Sequence, residues 1–180
     1  MCGVVVLVFL SACAVSHQPM IIYQPVLPSK QSNGVKVFVA NVIEGRNANV
    51  VGKVSQWDAY GKPITILEPQ NLKSEIKSSL ETELRNSGFV ISGAGSDLRV
   101  VMSLEHIEAS PGDRIESAIK LRCKVYDLGE EVLDHVYSGN AMTPVGPYLK
   151  LADLYTKSMS VALGNLIQEF TRDLLSYVES

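Results

Sequence analysis

The sequence predicts an α+β domain, with a mostly antiparallel sheet and two helices packed on one face of it. Two periodicities predict this fold. Apolar and polar residues alternate over long stretches between residues 97 and 141, which is typical of half-buried strands. Two other segments repeat apolar residues every three to four positions, which is typical of amphipathic helices. The 180 residues, of which 46% are hydrophobic, suffice for a single domain with its own core.

The first strand is predicted from Val35, where the sequence VKVFVANVI is dense in β-branched and aromatic residues. A hairpin arm is predicted next, over residues 47–67. Its first strand carries the sequence VVGKV, Trp57 and Tyr60 follow, and residues 63–67 form the second strand.

The first helix is predicted between Pro69 and Gly88. Proline suits the first helical position, and glycine commonly ends a helix. Between them, apolar residues at steps of four predict one stripe that faces a sheet: Leu72, Ile76, Leu80 and Leu84. A short strand is predicted at residues 89–91.

Three strands in sequence, at residues 97–109, 115–126 and 132–141, predict an antiparallel meander. The alternation is cleanest in the middle strand, whose buried face is predicted to carry Ile115, Ser117, Ile119, Leu121, Cys123 and Val125. In the first strand, unbroken alternation places Glu105 and Glu108 on opposite faces, which argues against an acid pair.

The second helix is predicted from about residue 148 to the end of the chain, because apolar residues recur there at steps of three and four. These residues are Leu163, Leu166, Ile167, Phe170, Leu174 and Val178. The helix is expected to close the core against the sheet.

The amino-terminal residues carry the strongest functional signal. The apolar run GVVVLVFL at residues 3–10 is shorter than the ~20 residues that a membrane-spanning helix needs, and it is typical of a signal-peptide core. The following Leu10-Ser11-Ala12-Cys13 resembles the lipobox of bacterial lipoproteins. The alternative is that residues 3–10 form a buried strand of the domain and Cys13 is incidental.

The lipobox resemblance implies that Cys13 receives acyl chains and becomes the first residue of the mature protein. The predicted organisation is a signal peptide at residues 1–12, a lipidated cysteine and tether at 13–34, and a single domain at 35–180. Ala14 follows the cysteine, and in lipoproteins this favours an outer-membrane location, facing the periplasm. The membrane is therefore the first predicted partner.

The predicted tether has three prolines and little periodicity, which favours an extended stalk. Its apolar residues 20–23 leave a second interpretation open, in which this part pairs at a sheet edge or covers the core.

Composition argues against several classes of function. The net charge is −3 with no run of one sign, which disfavours binding to nucleic acid. The three cysteines form no disulfide framework. His17, His106 and His135 lack metal-ligand spacing, and Cys123 is expected to act as a small hydrophobic residue. No cofactor is predicted, and no hydrolase or phosphate-loop motif is present.

Arg46, Trp57 and Tyr60 are the predicted partner-binding residues, because arginine and aromatic residues in loops are favoured at protein interfaces. The alternative for Trp57 is that it caps one end of the core.

The chain resembles the YajG family of uncharacterised bacterial lipoproteins in three features. These are the order of the elements, Glu44-Gly45-Arg46 after the first strand, and a helix that ends in Leu-x-x-x-Gly-Phe at residues 84–89. That family has Asp-x-Arg where this chain has Glu44-Gly45-Arg46. The resemblance implies a lipid-anchored envelope protein without catalytic residues.

The sequence thus favours a non-enzymatic lipoprotein that binds or scaffolds an envelope protein. A small-ligand or lipid carrier, with its groove between the last helix and the sheet, and an envelope hydrolase are the alternatives.

Overall fold

A computed structural model describes most of the chain. The described residues are 15–17, 20–25, 31–46, 50–57, 63–67, 71–93, 95–110, 112–145 and 151–180. Their elements, in chain order, are β1 (Val15–His17), β2 (Lys36–Val39), β3 (Ile43–Glu44), β4 (Val50–Trp57), β5 (Pro63–Leu67), α1 (Leu72–Asn86), β6 (Val90–Ile91), β7 (Leu98–Ser110), β8 (Arg114–Asp127), β9 (Glu130–Pro144) and α2 (Leu151–Val178).

The main sheet has six strands in the described part of the chain, with the order β6-β2-β7-β8-β9 and with β3 also paired to β7. Strands β7, β8 and β9 form the predicted antiparallel meander. Strand β2 pairs in parallel with both β6 and β7, and β3 pairs in parallel with β7. The sheet is therefore mixed and mostly antiparallel, which confirms the α+β class.

A second, three-stranded sheet has the order β1-β5-β4. Strands β4 and β5 pair antiparallel, which confirms the predicted hairpin arm. Strand β1 pairs in parallel with β5, although its three residues fall in the segment predicted to be a tether.

Helix α1 buries the predicted stripe of Leu72, Ile76, Leu80 and Leu84. It ends at Asn86, and Gly88 follows with a positive φ of 83°. This glycine lets the chain turn back, so that the Phe89 N–H donates a hydrogen bond to the Leu84 carbonyl at 3.0 Å. Pro69, the predicted helix start, lies outside the described residues.

A β-bulge in β7 corrects the prediction for Glu105 and Glu108. The pairing with β8 shifts between Leu104 and His106, so the buried positions change from even-numbered to odd-numbered residues at this point. One extra residue in a strand has this effect on alternation. Both glutamates are consequently exposed, and the opposite-face prediction was wrong because it assumed an unbroken strand.

Helix α2 contacts β8 and β9, while α1 contacts α2 and β6. The buried residues of both helices belong to one hydrophobic cluster with the inward residues of β7 and β8. Packing of both helices on the same face of the sheet stays a prediction. At Gly139, β9 approaches α2 so closely that a methyl group would overlap the backbone carbonyl of Ala162.

Candidate functional site

Only some of the predicted functional residues lie in the part of the chain that the structure describes. Cys13 and Tyr60 lie outside the described residues. Trp57 is the last residue of β4, where its backbone pairs with Pro63, and its side chain lies outside the described part. Arg46 lies two residues after the end of β3. The grouping of Arg46, Trp57 and Tyr60 into one partner-binding surface stays a prediction.

The chain that links Cys13 to the domain packs on the fold at residues 20–25, here called the N-terminal segment. Ile21 is 2% exposed and belongs to the core. The backbone N–H groups of Met20 and Ile22 donate hydrogen bonds to hydroxyl groups of α2, to Thr156 Oγ1 at 3.1 Å and to Ser160 Oγ at 2.9 Å. Residues 20–22 therefore cover the core, as the second interpretation of this segment proposed.

Tyr23 fixes the same segment to the other helix. Its phenol donates a hydrogen bond to the carboxylate of Glu83 on α1, and Glu83 is only 3% exposed. Burial, followed by the bond to Glu83, raises the pKa of Tyr23. The N-terminal segment is thus held against both α1 and α2.

Sequence reasoning missed Glu83, although one signal was present. Glu83 comes three residues after Leu80, on the apolar stripe of α1. A charged residue at such a position requires a buried partner, because an unpaired buried carboxylate is costly. The partner is a tyrosine 60 positions earlier in the chain, which helix periodicity does not reveal.

A groove lies between the N-terminal segment and the outer face of α2. Its volume is about 480 Å³. Ile22 and Gln24 line one side, and α2 residues from Asp153 to Gln168 line the other. The side chains of Ile22 and Val161 are exposed apolar groups in this groove. Seven residues extend over at most about 25 Å, so Met20, which is seven residues after Cys13 in the sequence, can be no farther than that from it.

Glu44, Arg46 and Lys73 form a charged cluster between the end of β3 and the start of α1. Arg46 donates to both carboxylate oxygens of Glu44, from Nε at 2.6 Å and from Nη2 at 2.9 Å. Lys73 Nζ lies 2.9 Å from Glu44 Oε2. The hydrogen bond from Arg46 is the largest cause that lowers the pKa of Glu44 to about 2.

The Arg46 side chain is only 7% exposed. A guanidinium group so deeply placed and bound to a carboxylate holds the protein together more readily than it contacts a partner. Next to this cluster, Lys77 donates to Asn41 Oδ1 at 2.9 Å and so joins α1 to the loop after β2. The cluster therefore acts as a link between the sheet and α1.

The described residues contain little that suggests catalysis. Cys123 is buried, and burial raises the pKa of its thiol to about 12, so it is not a reactive nucleophile at neutral pH. Within the described ranges, no group of three His, Cys, Asp or Glu side chains is placed to hold a metal ion. No helix in the same ranges is long and apolar enough to cross a membrane.

The fold defines an α+β domain on a six-stranded mixed sheet, and solved structures share it. The chain is similar to protein XCC0632 from Xanthomonas campestris, of the DUF330 family, with 14% identity and a TM-score of 0.60 over 90% of this chain and 95% of that one. It is also similar to the hypothetical protein CT253 from Chlamydia trachomatis, with 10% identity and a TM-score of 0.56 over 80% and 98%.

A third similar chain is described as a neuraminyllactose-binding hemagglutinin homolog from Helicobacter pylori, with 12% identity and a TM-score of 0.53 over 88% of this chain and 96% of that one. Chains described as lipoproteins also match, at TM-scores of 0.42 to 0.48. At these identities the likeness shows the fold alone. No family model and no curated protein sequence matches the chain, so membership of the YajG family stays a prediction.

Proposed function

We propose that this protein is a bacterial lipoprotein, held by acyl chains on Cys13 at the periplasmic face of the outer membrane, and that its domain binds an envelope protein without catalysing a reaction. The observation that carries the proposal is the lipobox-like Leu10-Ser11-Ala12-Cys13 directly after a short apolar run. Each buried methylene contributes about 0.8 kcal/mol, so two or three acyl chains anchor a domain stably where one chain does not.

The packing of the N-terminal segment supports this anchoring proposal. A lipid on Cys13 would connect to a chain that bonds with α2 within ten residues, at Met20 and Ile22. Such a short connection gives the domain a restricted set of orientations on the membrane. A restricted orientation suits a protein that presents one surface to a partner.

A non-enzymatic role is supported by the state of the reactive groups. The thiol of Cys123 is buried, and Glu44 forms ion pairs with both Arg46 and Lys73. An active site generally has convergent polar groups in a pocket with access to substrate. Neither the thiol nor the cluster has that arrangement.

The second candidate is a carrier of a small ligand or lipid. The close approach of Gly139 to Ala162 leaves no room for a ligand between the sheet and α2 at that point. The groove of about 480 Å³ on the outer face of α2 is the observation that favours a carrier, because exposed apolar side chains border it. A ligand would therefore bind outside α2.

Site-specific photocrosslinking in living cells tests the partner-binding role. A photoreactive amino acid replaces Tyr60 in one variant and the exposed Glu116 of β8 in a control variant. We expect the Tyr60 position to yield one defined adduct with an envelope protein and the Glu116 position to yield none. A membrane-bound protein that forms no adduct at Tyr60 or Trp57 would contradict partner binding at this surface.

Native mass spectrometry separates the carrier from the partner-binding module. The carrier predicts a bound lipid or small molecule that is lost when Val161→Glu places a charge in the groove. A protein that carries nothing beyond its covalent acyl chains would exclude the carrier and leave the first proposal in place.

A further inference from the structure

The turn between β8 and β9 carries an unusual residue. Strand β8 ends at Asp127 and β9 begins at Glu130, so the connection is Leu128-Gly129. Both residues have positive φ, 49° for Leu128 and 94° for Gly129. Two-residue turns of this kind favour Asn-Gly or Asp-Gly, because a left-handed backbone crowds a bulky side chain.

The side chain of Leu128 is not buried, so no hydrophobic stabilisation offsets the strain in its backbone. Its side chain is 95% exposed, the highest exposure among the large apolar residues of the described chain. Neither its backbone conformation nor its solvent-exposed apolar side chain stabilises the folded monomer. Strain of this kind is typical of sites that act on something outside the chain.

The turn is held firmly in place. The Tyr177 hydroxyl, near the end of α2, donates a hydrogen bond to Asp127 Oδ2 at 2.9 Å. Asp127 also pairs with Leu98 of β7 and with Glu130 of β9. Leu128 therefore projects from a fixed support, as a preorganised contact does.

A groove of about 540 Å³ lies directly beside the turn. Val101 and Tyr126 supply apolar walls, and Leu128 itself stands at the rim. Arg99 also lines the groove, and its side chain makes no ion pair or hydrogen bond with another described residue. The side chain of Glu130, the first residue after the turn, likewise has no partner among the described residues. The patch thus combines a projecting apolar side chain, a recess and two side chains of opposite charge that have no ion-pair partner in the described part of the chain.

We propose that this patch is a two-fold interface between two copies of the chain, in which the Leu128 side chain of each copy enters the groove of the other. A two-fold contact brings the same patch together from both sides, so a patch that holds both projection and recess fits itself. In this arrangement Arg99 of one copy pairs with Glu130 of the other. The interface is independent of the lipid anchor.

Sedimentation equilibrium of the full chain in density-matched detergent tests the proposal. We expect a monomer–dimer equilibrium for the natural sequence, and at least a tenfold weaker dimer for Leu128→Asn. Because asparagine tolerates a left-handed backbone, the same variant is expected to raise the thermal midpoint of the monomer by about 2 to 4 °C. If Leu128 instead stabilised the monomer, Leu128→Asn would lower the thermal midpoint.

Two further variants make the test specific. Met142→Ser removes another exposed apolar side chain, on β9 and away from the turn, and is expected to leave the dimer unchanged. Arg99→Glu and Glu130→Arg are each expected to weaken the dimer, and the double variant to restore it. A natural sequence that stays monomeric up to millimolar concentration, or a Leu128→Asn protein that dimerises like its parent, would overturn the proposal.

Discussion

Glu44 is the residue on which the link between the sheet and α1 depends. Its carboxylate accepts two hydrogen bonds from the Arg46 guanidinium and one from the Arg46 backbone N–H, and it forms an ion pair with Lys73. Charge-assisted, bidentate bonds of this kind are stronger than neutral ones. The lowered pKa of Glu44 is the measurable consequence of this arrangement.

We predict that Glu44→Gln destabilises the protein by about 1 to 3 kcal/mol at pH 7, since it removes charge-assisted bonds from a nearly buried arginine. The pKa of Glu44 falls from its ordinary value of 4.5 to about 2 in the folded protein. Its contribution to stability is therefore complete above about pH 4.5 and is lost as the pH falls through 2.

Urea unfolding between pH 7 and pH 2 measures this contribution. The stability difference between parent and Glu44→Gln is expected to shrink across the acid range. The control is Glu116→Gln on the exposed side of β8, which should change stability by less than about 0.5 kcal/mol at every pH. A difference for Glu44→Gln that stays constant from pH 7 to pH 2 would be inconsistent with this role.

The sequence predicts the burial of some residues but not the partners of others. The burial of Cys123 follows from strict alternation in its strand, and the structure confirms it. The pairing of Glu83 with Tyr23 does not follow, because the two residues are brought together only by the folding of the N-terminal segment across the helices.

At the scale of elements, β9 and α2 meet most closely at Gly139. A methyl group there would overlap the carbonyl oxygen of Ala162 and lie 3.0 Å from the Leu166 side chain. We predict that Gly139→Ala destabilises the protein by about 3 kcal/mol, because the helix must move off the sheet. Chemical denaturation of the purified variant measures this.

Gly93 offers a matched control for that substitution. A methyl group at Gly93 would have no atom within 4 Å. Gly93→Ala is therefore expected to leave stability unchanged or to raise it by up to about 1 kcal/mol. Equal effects of the two substitutions would show that the contact between β9 and α2 is looser than described.

The N-terminal segment behaves as an added element that joins the helices. We predict that Tyr23→Phe costs about 1 to 3 kcal/mol, because it leaves the buried carboxylate of Glu83 without its phenol partner. Hydrogen exchange at the Met20 and Ile22 amides should become faster, since the segment is then held by fewer bonds.

Two variants distinguish this contact from a general effect of losing a tyrosine hydroxyl. Tyr126→Phe, on the exposed face of β8, removes only a 3.4 Å contact with Glu131 and should change stability little. The double variant Tyr23→Phe with Glu83→Leu should recover most of the loss, because both polar partners are then absent. If the double variant were as unstable as the single one, the Tyr23–Glu83 bond would not be the cause.

Elements with strong periodicity were predictable, and elements defined by distant pairing were not. The stripe of α1 and the alternation of β8 specify which face each element buries. The bulge after Leu104 is invisible to a strict period of two. The parallel placement of β2 between β6 and β7 depends on contacts about 60 residues apart, for which local pattern carries no signal.

At the scale of the whole molecule, the order of the main strands leaves β9 at one edge of the sheet and β6 at the other. The N-terminal segment, which connects to Cys13, lies across the outer face of α2. An acyl anchor on Cys13 would therefore hold the protein with the N-terminal segment and α2 toward the membrane. The turn at Leu128 would remain at the far end of the β8–β9 hairpin from Pro144, where it is free to meet a second copy.

Intact-mass measurement of the protein isolated from its own membranes determines whether Cys13 carries acyl chains. We expect a polypeptide that begins at Cys13 and carries the added mass of a diacylglyceryl group and a third acyl chain. A Cys13→Ser protein should lack that mass and either retain residues 1–12 or leave the membrane fraction. A natural protein that retains residues 1–12 and carries no acyl mass would contradict the account.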